Sequence, residues 1–133
     1  MQILRFSTLF VIGILAAHWS GSSLSAGELE GKWREGSWYD ANSGHKDVLR
    51  ARFRQKRDGN YRVVFTGRFA KVVPFRFATT LKVAGHDGDK VVLAGESRIA
   101  GFMKFSYHGA ADAHHFHADY HSRRWSGEFN LYR

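Results

Sequence analysis

The clearest structural signal in this chain is the stretch of residues 48–69, VLRARFRQKRDGNYRVVFTGRF. On both sides of the Asp58-Gly59 pair, apolar side chains alternate with mostly basic ones at a period of two residues. Such alternation is typical of half-buried β-strands, and Asp-Gly suits the tight turn of a β-hairpin. The stretch therefore predicts two antiparallel strands joined by a short turn, with one apolar face and one basic face.

The same alternation continues from Gly31 to the last residue, interrupted by turn residues at nearly regular intervals. It predicts eight antiparallel strands and no helix in a single all-β domain that covers residues 27–133. An up-and-down β-barrel would bury the apolar face and remove both sheet edges, and a two-sheet β-sandwich is the alternative. In the first strand Trp33 and Trp38 differ in parity, so they share a face only if the strand bulges, which we expect at Gly36.

The N-terminal segment predicts export. Arg5 is followed by an apolar run of about a dozen residues and a small, polar stretch, and this run is shorter than the ~20 residues that span a bilayer. We expect residues 1–26 to be a signal peptide cleaved near Ser25 or Ala26, which places the protein outside the cell or in the periplasm; an uncleaved signal anchor is the alternative. The chain has no cysteine, which excludes disulfide bonds and thiolate metal sites.

A Gly-x-Trp motif, Gly31 to Trp33, opens the first predicted strand and is followed by a compact meander. In this arrangement the chain resembles the calycin group of secreted barrels, the lipocalins and avidins. The architectural resemblance covers nearly the whole of residues 27–133 and is carried by this one motif. It implies a calycin-like barrel with a ligand cavity inside.

The inward rows of the predicted barrel are rich in aromatic rings, among them Phe69 and Trp125. Aromatic walls with a few polar groups describe many ligand pockets and also many packed cores, and small residues such as Gly67 and Gly95 leave gaps between the rings. The sequence leaves both open: a filled interior, or a site for a small apolar ligand. The candidate ligand-binding residues are Trp33, Trp38, Tyr61, Phe65, Phe77, Tyr107 and Tyr120.

The positive charge is concentrated in the first half of the barrel. From Lys32 to Lys82 there are 13 basic and four acidic residues. Arginine dominates, and its planar guanidinium suits phosphate, sulfate and carboxylate groups. We therefore expect a binding surface for an anionic polymer or an anionic membrane surface, the alternative being a face that serves only solubility. Its candidate residues, all on outward rows, are Arg50, Arg52, Arg54, Arg62, Arg68, Arg76 and Lys82.

Nucleic acid is a less suitable partner for this surface. Single-strand binders combine basic side chains with exposed aromatic rings on which bases stack. Here the rings fall on the buried rows of the predicted strands. An exported protein would also more often meet acidic polysaccharides or lipid head groups.

Residues 114–121, HHFHADYH, contain four histidines. The strand parity predicts that His114 points inward and that His115 and His117 point outward. A His-x-His pair on one strand face can share a metal ion such as zinc, with Glu128 on the next strand as a further ligand. Lys104 on the other neighbouring strand argues against this site. A metal-binding or metal-dependent protein is therefore the alternative function, against a solvated strand face.

Motifs of common enzyme classes are absent: there is no Gly-x-Ser-x-Gly, no phosphate-binding glycine loop and no His-Glu-x-x-His. The sequence favours a binding protein over an enzyme and predicts no cofactor apart from the candidate zinc ion. The expectation is thus a small exported β-barrel that acts as a binding module.

Overall fold

A computed structural model describes residues 28–99, 101 and 103–133. The expected signal peptide, residues 1–26, lies outside this range. None of the described residues is helical, so they include no helix long and apolar enough to cross a membrane. The described strands are β1 (Gly31–Trp33), β2 (Glu35–Asp40), β3 (Lys46–Gln55), β4 (Tyr61–Phe69), β5 (Val73–Asp87), β6 (Lys90–Ile99), β7 (Met103–Ala111), β8 (His115–His121) and β9 (Ser126–Tyr132).

The strands form one closed antiparallel barrel. Each strand from β3 to β8 pairs with the next along the chain, and β2 closes the circle by pairing with both β3 and β9. Because β1 also pairs with β3, β1 and β2 are two halves of one interrupted strand, and the barrel has eight strands. This closure confirms the predicted all-β barrel and removes the sandwich alternative.

The irregularity in the first strand lies at Arg34. Trp33 pairs with Ala51 but Ser37 pairs with Val48, so the first strand has one residue more than β3 between these points. As predicted, both tryptophans are buried on the inner face. The break falls two residues before the expected Gly36, because Gly36 stays in register with β9, where a Cβ would lie 2.8 Å from the Leu131 side chain.

One end of the barrel is sealed around Trp33, and we call it the closed end. The Trp33 side chain is fully buried, and its Nε1 donates a hydrogen bond to the carbonyl of Leu29 at 3.0 Å. The Arg133 guanidinium lies 4.3 Å from the centre of the indole ring and donates to the carbonyls of Glu28 and Glu30. Cation–π contact and hydrogen bonds therefore fasten the segment before β1 across this end.

The opposite end, which we call the loop end, carries the hairpin loops 41–45, 70–72 and 122–125. Phe69 and Trp125 lie here and are 54% and 39% exposed, so the prediction that they belong to the buried interior was wrong, although Phe69 still stacks on the inner Trp38 and Trp125 on Phe105. The reason is their position: Phe69 is the last residue of β4, and Trp125 precedes β9. No further layer of the barrel covers them.

Candidate functional site

The predicted interior residues form a continuous network of stacked and tilted rings. Phe65 lies at its centre, with ring centroids 5.1 Å from Phe77, 5.1 Å from Phe129 and 6.4 Å from Phe116. The seven candidates for ligand binding all lie on the inner face, where Phe77 is half-buried and the others are buried. Each of the seven packs against at least one other aromatic ring.

The gaps that the sequence leaves at inner glycines are occupied by neighbouring side chains. A Cβ added at Gly67 would lie 2.6 Å from the Phe75 ring, and one at Gly95 would lie 2.9 Å from the Leu81 side chain. Both distances are far below van der Waals contact. At these two positions the glycines thus make room for a ring and a branched side chain.

The buried hydroxyl groups of the interior are satisfied within the protein. The hydroxyl of Tyr107 lies 2.6 Å from that of Ser97, and the Tyr120 hydroxyl donates to the carbonyl of Tyr39 at 3.0 Å. Burial raises the pKa of both tyrosines, and the negative charge of Asp40 raises the pKa of Tyr120 further. Both phenols are therefore neutral at physiological pH and serve as hydrogen-bonding groups of the core.

The most distinctive surface feature is an open groove of about 550 Å³ on the outer wall, which we call the basic groove. Cross-strand register builds it, because Arg52 pairs with Val64, while Arg50 pairs with Thr66, which in turn pairs with Arg76. Val64 and Thr66 are half-buried between these exposed side chains. The basic residues that line the groove are Lys32, Arg34, Arg50, Arg52 and Arg76, and no acidic residue is among the lining residues.

Like charges face one another directly across the strands at this wall. Lys32 is opposite Arg52, and Arg54 is opposite Arg62. Directly opposed like charges destabilise a sheet. A third such pair, Arg98 and Lys104, lies elsewhere and is relieved by Glu96, whose carboxylate is 3.3 Å from the Lys104 ammonium. Among the described residues, no carboxylate forms an ion pair with a member of the first two pairs, so their repulsion is not compensated in this way.

The other predicted anion-binding residues do not line the groove. Arg54, Arg62, Arg68 and Lys82 are exposed, and Arg68 lies 4.0 Å from the Asp47 carboxylate. The sequence prediction missed Lys32 and Arg34. Lys32 precedes the inward Trp33, so its parity could have placed it on the outer wall, whereas Arg34 sits at the strand break where parity fails.

The histidine-rich strand β8 differs from its prediction in part. His114 is exposed and precedes β8, so its predicted inward position was wrong: its amide, like that of His115, donates to Asp112 Oδ1 in the turn before the strand. His115 and His117 lie on the outer face and are half-buried. The His115 ring stacks on Tyr132 with centroids 4.7 Å apart.

Three side chains on the outer face of β8 and β9 converge as metal ligands could. Ligand atoms of His117, Asp119 and Glu128 all lie within 4.8 Å of one another. Two of the three predicted ligands, His117 and Glu128, are thus brought together, while His115 is not part of this group. Asp119 was the missed residue, although its outward parity in HHFHADYH was a usable signal.

A second open groove, of about 820 Å³, lies on the outer wall near the loop end. Its lining combines Trp125 and Met103 with the basic residues Lys104, Arg123 and Arg124.

No protein-family model, curated protein or solved structure matches this chain. The case for a function therefore rests on the geometry and chemistry of these surfaces.

Proposed function

We propose that this protein is an exported, calycin-like binding module that holds an anionic polymer in its basic groove. The observation that carries the proposal is the set of five basic side chains around one groove that no acidic residue lines. Such an arrangement costs stability in the free protein, since like charges face one another across the strands. A bound anion would offset that repulsion.

The chemistry of the groove suits repeated anionic groups. Residues two apart on a strand, such as Arg50 and Arg52, lie about 6.6–7 Å apart, and neighbouring strands are about 4.8 Å apart. Guanidinium groups at these spacings can each take one sulfate, carboxylate or phosphate in a bidentate manner. A linear polymer with an anionic group on successive units would meet several of them at once.

Acidic polysaccharide is a better partner for this groove than single-stranded nucleic acid. The one aromatic residue in the lining, Trp33, is fully buried and offers no ring face for a base. Base stacking would therefore add nothing to charge attraction here. Residues 1–26 support the same choice through the export that they predict.

Replacing Arg50, Arg52 and Arg76 by serine is expected to weaken binding to heparin by about 3- to 150-fold. An exposed ion pair contributes roughly 0.2–1 kcal/mol, so the loss of three corresponds to roughly 0.6–3 kcal/mol. Isothermal titration with heparin oligosaccharides at low salt measures the change directly. Affinity of the unmodified protein should fall as salt rises, because salt screens exposed charges.

The matched control replaces Arg57, Lys90 and Arg98 by serine, which lowers the net charge equally at exposed positions outside the basic groove. Its affinity for heparin should change much less. Equal loss in both variants would mean that net charge alone attracts the polymer, and unchanged binding in the groove variant would refute the proposal.

A second candidate partner, an anionic membrane surface, is favoured by the loop end. Of the six large apolar residues that are exposed among the described ones, Phe69, Val72, Val73 and Trp125 lie at this end. Lys71, Arg123 and Arg124 lie in the same loops. Exposed apolar side chains ringed by basic ones suit the interface of an anionic bilayer.

The double substitution Phe69→Ser and Val72→Ser is expected to reduce co-sedimentation with phosphatidylglycerol vesicles by about tenfold or more, because burying one such side chain contributes about 1.5–3 kcal/mol. Tyr132→Ser, an exposed aromatic at the closed end, is the control and should retain binding. Vesicles of phosphatidylcholine alone should bind weakly. If neither vesicle binds the unmodified protein, the membrane candidate is rejected.

A further inference from the structure

Two carboxylates face each other directly on the outer wall. Asp119 on β8 pairs with Glu128 on β9, and Tyr39 is the next residue across the sheet from Glu128. In the strand pairings of the described residues this is the one place where two acidic residues are opposed. Opposed like charges destabilise a sheet unless a cation compensates them. The pair therefore marks a position where positive charge is needed.

His117 supplies a third group with a defined hydrogen-bonding role. Its Nδ1 lies 2.9 Å from Asn130 Oδ1, and His115 Nε2 lies 3.2 Å from the same oxygen. A carbonyl oxygen only accepts hydrogen bonds, so each of these two ring nitrogens must carry the proton. In the neutral ring of His117, Nε2 is thus left with its lone pair free.

In this tautomer the free lone pair of Nε2 lies close to another acceptor. His117 Nε2 lies 3.4 Å from Asp119 Oδ1, and Glu128 completes the group with all ligand atoms within 4.8 Å. Two acceptors at this distance repel each other unless a proton on Nε2 or a metal ion joins them, and the second carboxylate, Glu128, calls for more positive charge than one proton supplies. A hydrogen bond from the far ring nitrogen to an oxygen is also the usual support of a metal-bound histidine. Asn130 is in the position of that support.

A further residue of a ligand type lies on the other side of Asp119. His108 on β7 is directly opposite Asp119 and is exposed. The objection raised by Lys104 does not hold, because its ammonium lies 3.3 Å from Glu96 and because Lys104 is four positions, or about 13 Å, from His108 along the strand. The neighbour of Asp119 on β7 is therefore a histidine, His108, and the ammonium of Lys104 does not compete for this position.

We propose that His117 Nε2, Asp119 and Glu128 bind a divalent metal ion of the zinc class. Imidazole and carboxylate groups are zinc ligands, whereas Mg²⁺ and Ca²⁺ prefer ligand sets made entirely of oxygen. Three protein ligands leave a position that His108 or water can take. His115 is not a ligand in this proposal, because its ring stacks on Tyr132 and its Nε2 is bound to Asn130. The site is separate from the basic groove and does not depend on its function.

The test is isothermal titration of the untagged, chelator-free protein with Zn²⁺ and, separately, with Mg²⁺. We expect one zinc ion per chain and at least a tenfold loss of affinity in each of the variants His117→Ala and Asp119→Asn. Mg²⁺ should not bind at this site. His115→Ala and His121→Ala, on the same strand, are the matched controls and should keep the affinity of the unmodified protein.

Asn130 tests the supporting role without removing a ligand. Asn130→Ala should weaken zinc binding by about 10–100-fold, and Asn130→Asp, which can still accept the Nδ1 proton, should restore it. Visible absorption of bound Co²⁺ reports the ligand set independently, and far-UV circular dichroism shows that each variant is folded. The absence of zinc binding by the unmodified protein overturns the proposal. So does equal loss in His115→Ala and His117→Ala, which would point to a different pair of ligands.

Discussion

Replacement of Trp33 by alanine is expected to lower the free energy of unfolding by about 3–5 kcal/mol, the range for large buried aromatic residues. The indole is fully buried, packs on Phe53 with ring centroids 5.4 Å apart and donates its N–H to Leu29. Its removal also takes away the ring under the Arg133 guanidinium. The variant should therefore lose the covering of the closed end as well as core packing.

Chemical denaturation followed by circular dichroism measures this loss. Trp125→Ala is the matched control, because Trp125 is 39% exposed and its removal leaves the core intact. Hydrogen exchange should show faster exchange in β1 and in residues 28–30 in the Trp33 variant. A loss below about 1.5 kcal/mol would mean that the closed end contributes little to the stability of the barrel.

Replacement of Phe65 by alanine is expected to cost about 3–5 kcal/mol as well and to give the barrel a new cavity. Phe65 is buried at the centre of the ring network, where its removal would leave Phe77, Phe116 and Phe129 around an apolar space. Such engineered cavities stay dry and bind small apolar molecules. The variant should therefore bind benzene, and the unmodified protein should not.

Calorimetry or a benzene-dependent rise in melting temperature provides the measurement. Phe69→Ala is the control, since its ring is largely exposed at the loop end and its loss opens no space in the core. The result also bears on the interior ligand site that the calycin resemblance implies. If the unmodified protein binds small apolar ligands as well as the Phe65 variant does, the barrel interior is a binding site and not a filled core.

Most of the fold could be predicted because the alternation of apolar and polar residues along each strand identifies its inner and outer face. Alternation around Leu49, Ala51 and Phe53 assigned these residues correctly to the core. The prediction failed at Arg34, where the first strand is interrupted, and at His114, which precedes β8. It also failed in the burial of Phe69 and Trp125, which lie at or beyond strand ends. Alternation predicts which face of a strand a side chain lies on. It does not predict whether other side chains cover that residue at the end of the barrel.

The candidate sites were harder to predict because they depend on strand register. Outward arginines on β3, β4 and β5 could be assigned from the sequence. That some of them line one groove together with Lys32 and Arg34 follows only from the pairing of β1 with β3. Likewise, the alternation places Asp119 outward, and only the register sets it opposite Glu128 and His108.

Local alternation and turn chemistry in this chain thus suffice for the strands, their faces and the position of the positive charge, since each depends on residues close together in the chain. The groove, the opposed carboxylates and the aromatic network of the interior arise when closure of the barrel brings distant strands together. A shift of one residue in any pairing would turn a strand face over and separate these groups. For that reason the register of the closed barrel, and not the residue content of any one strand, sets the sites proposed for this protein.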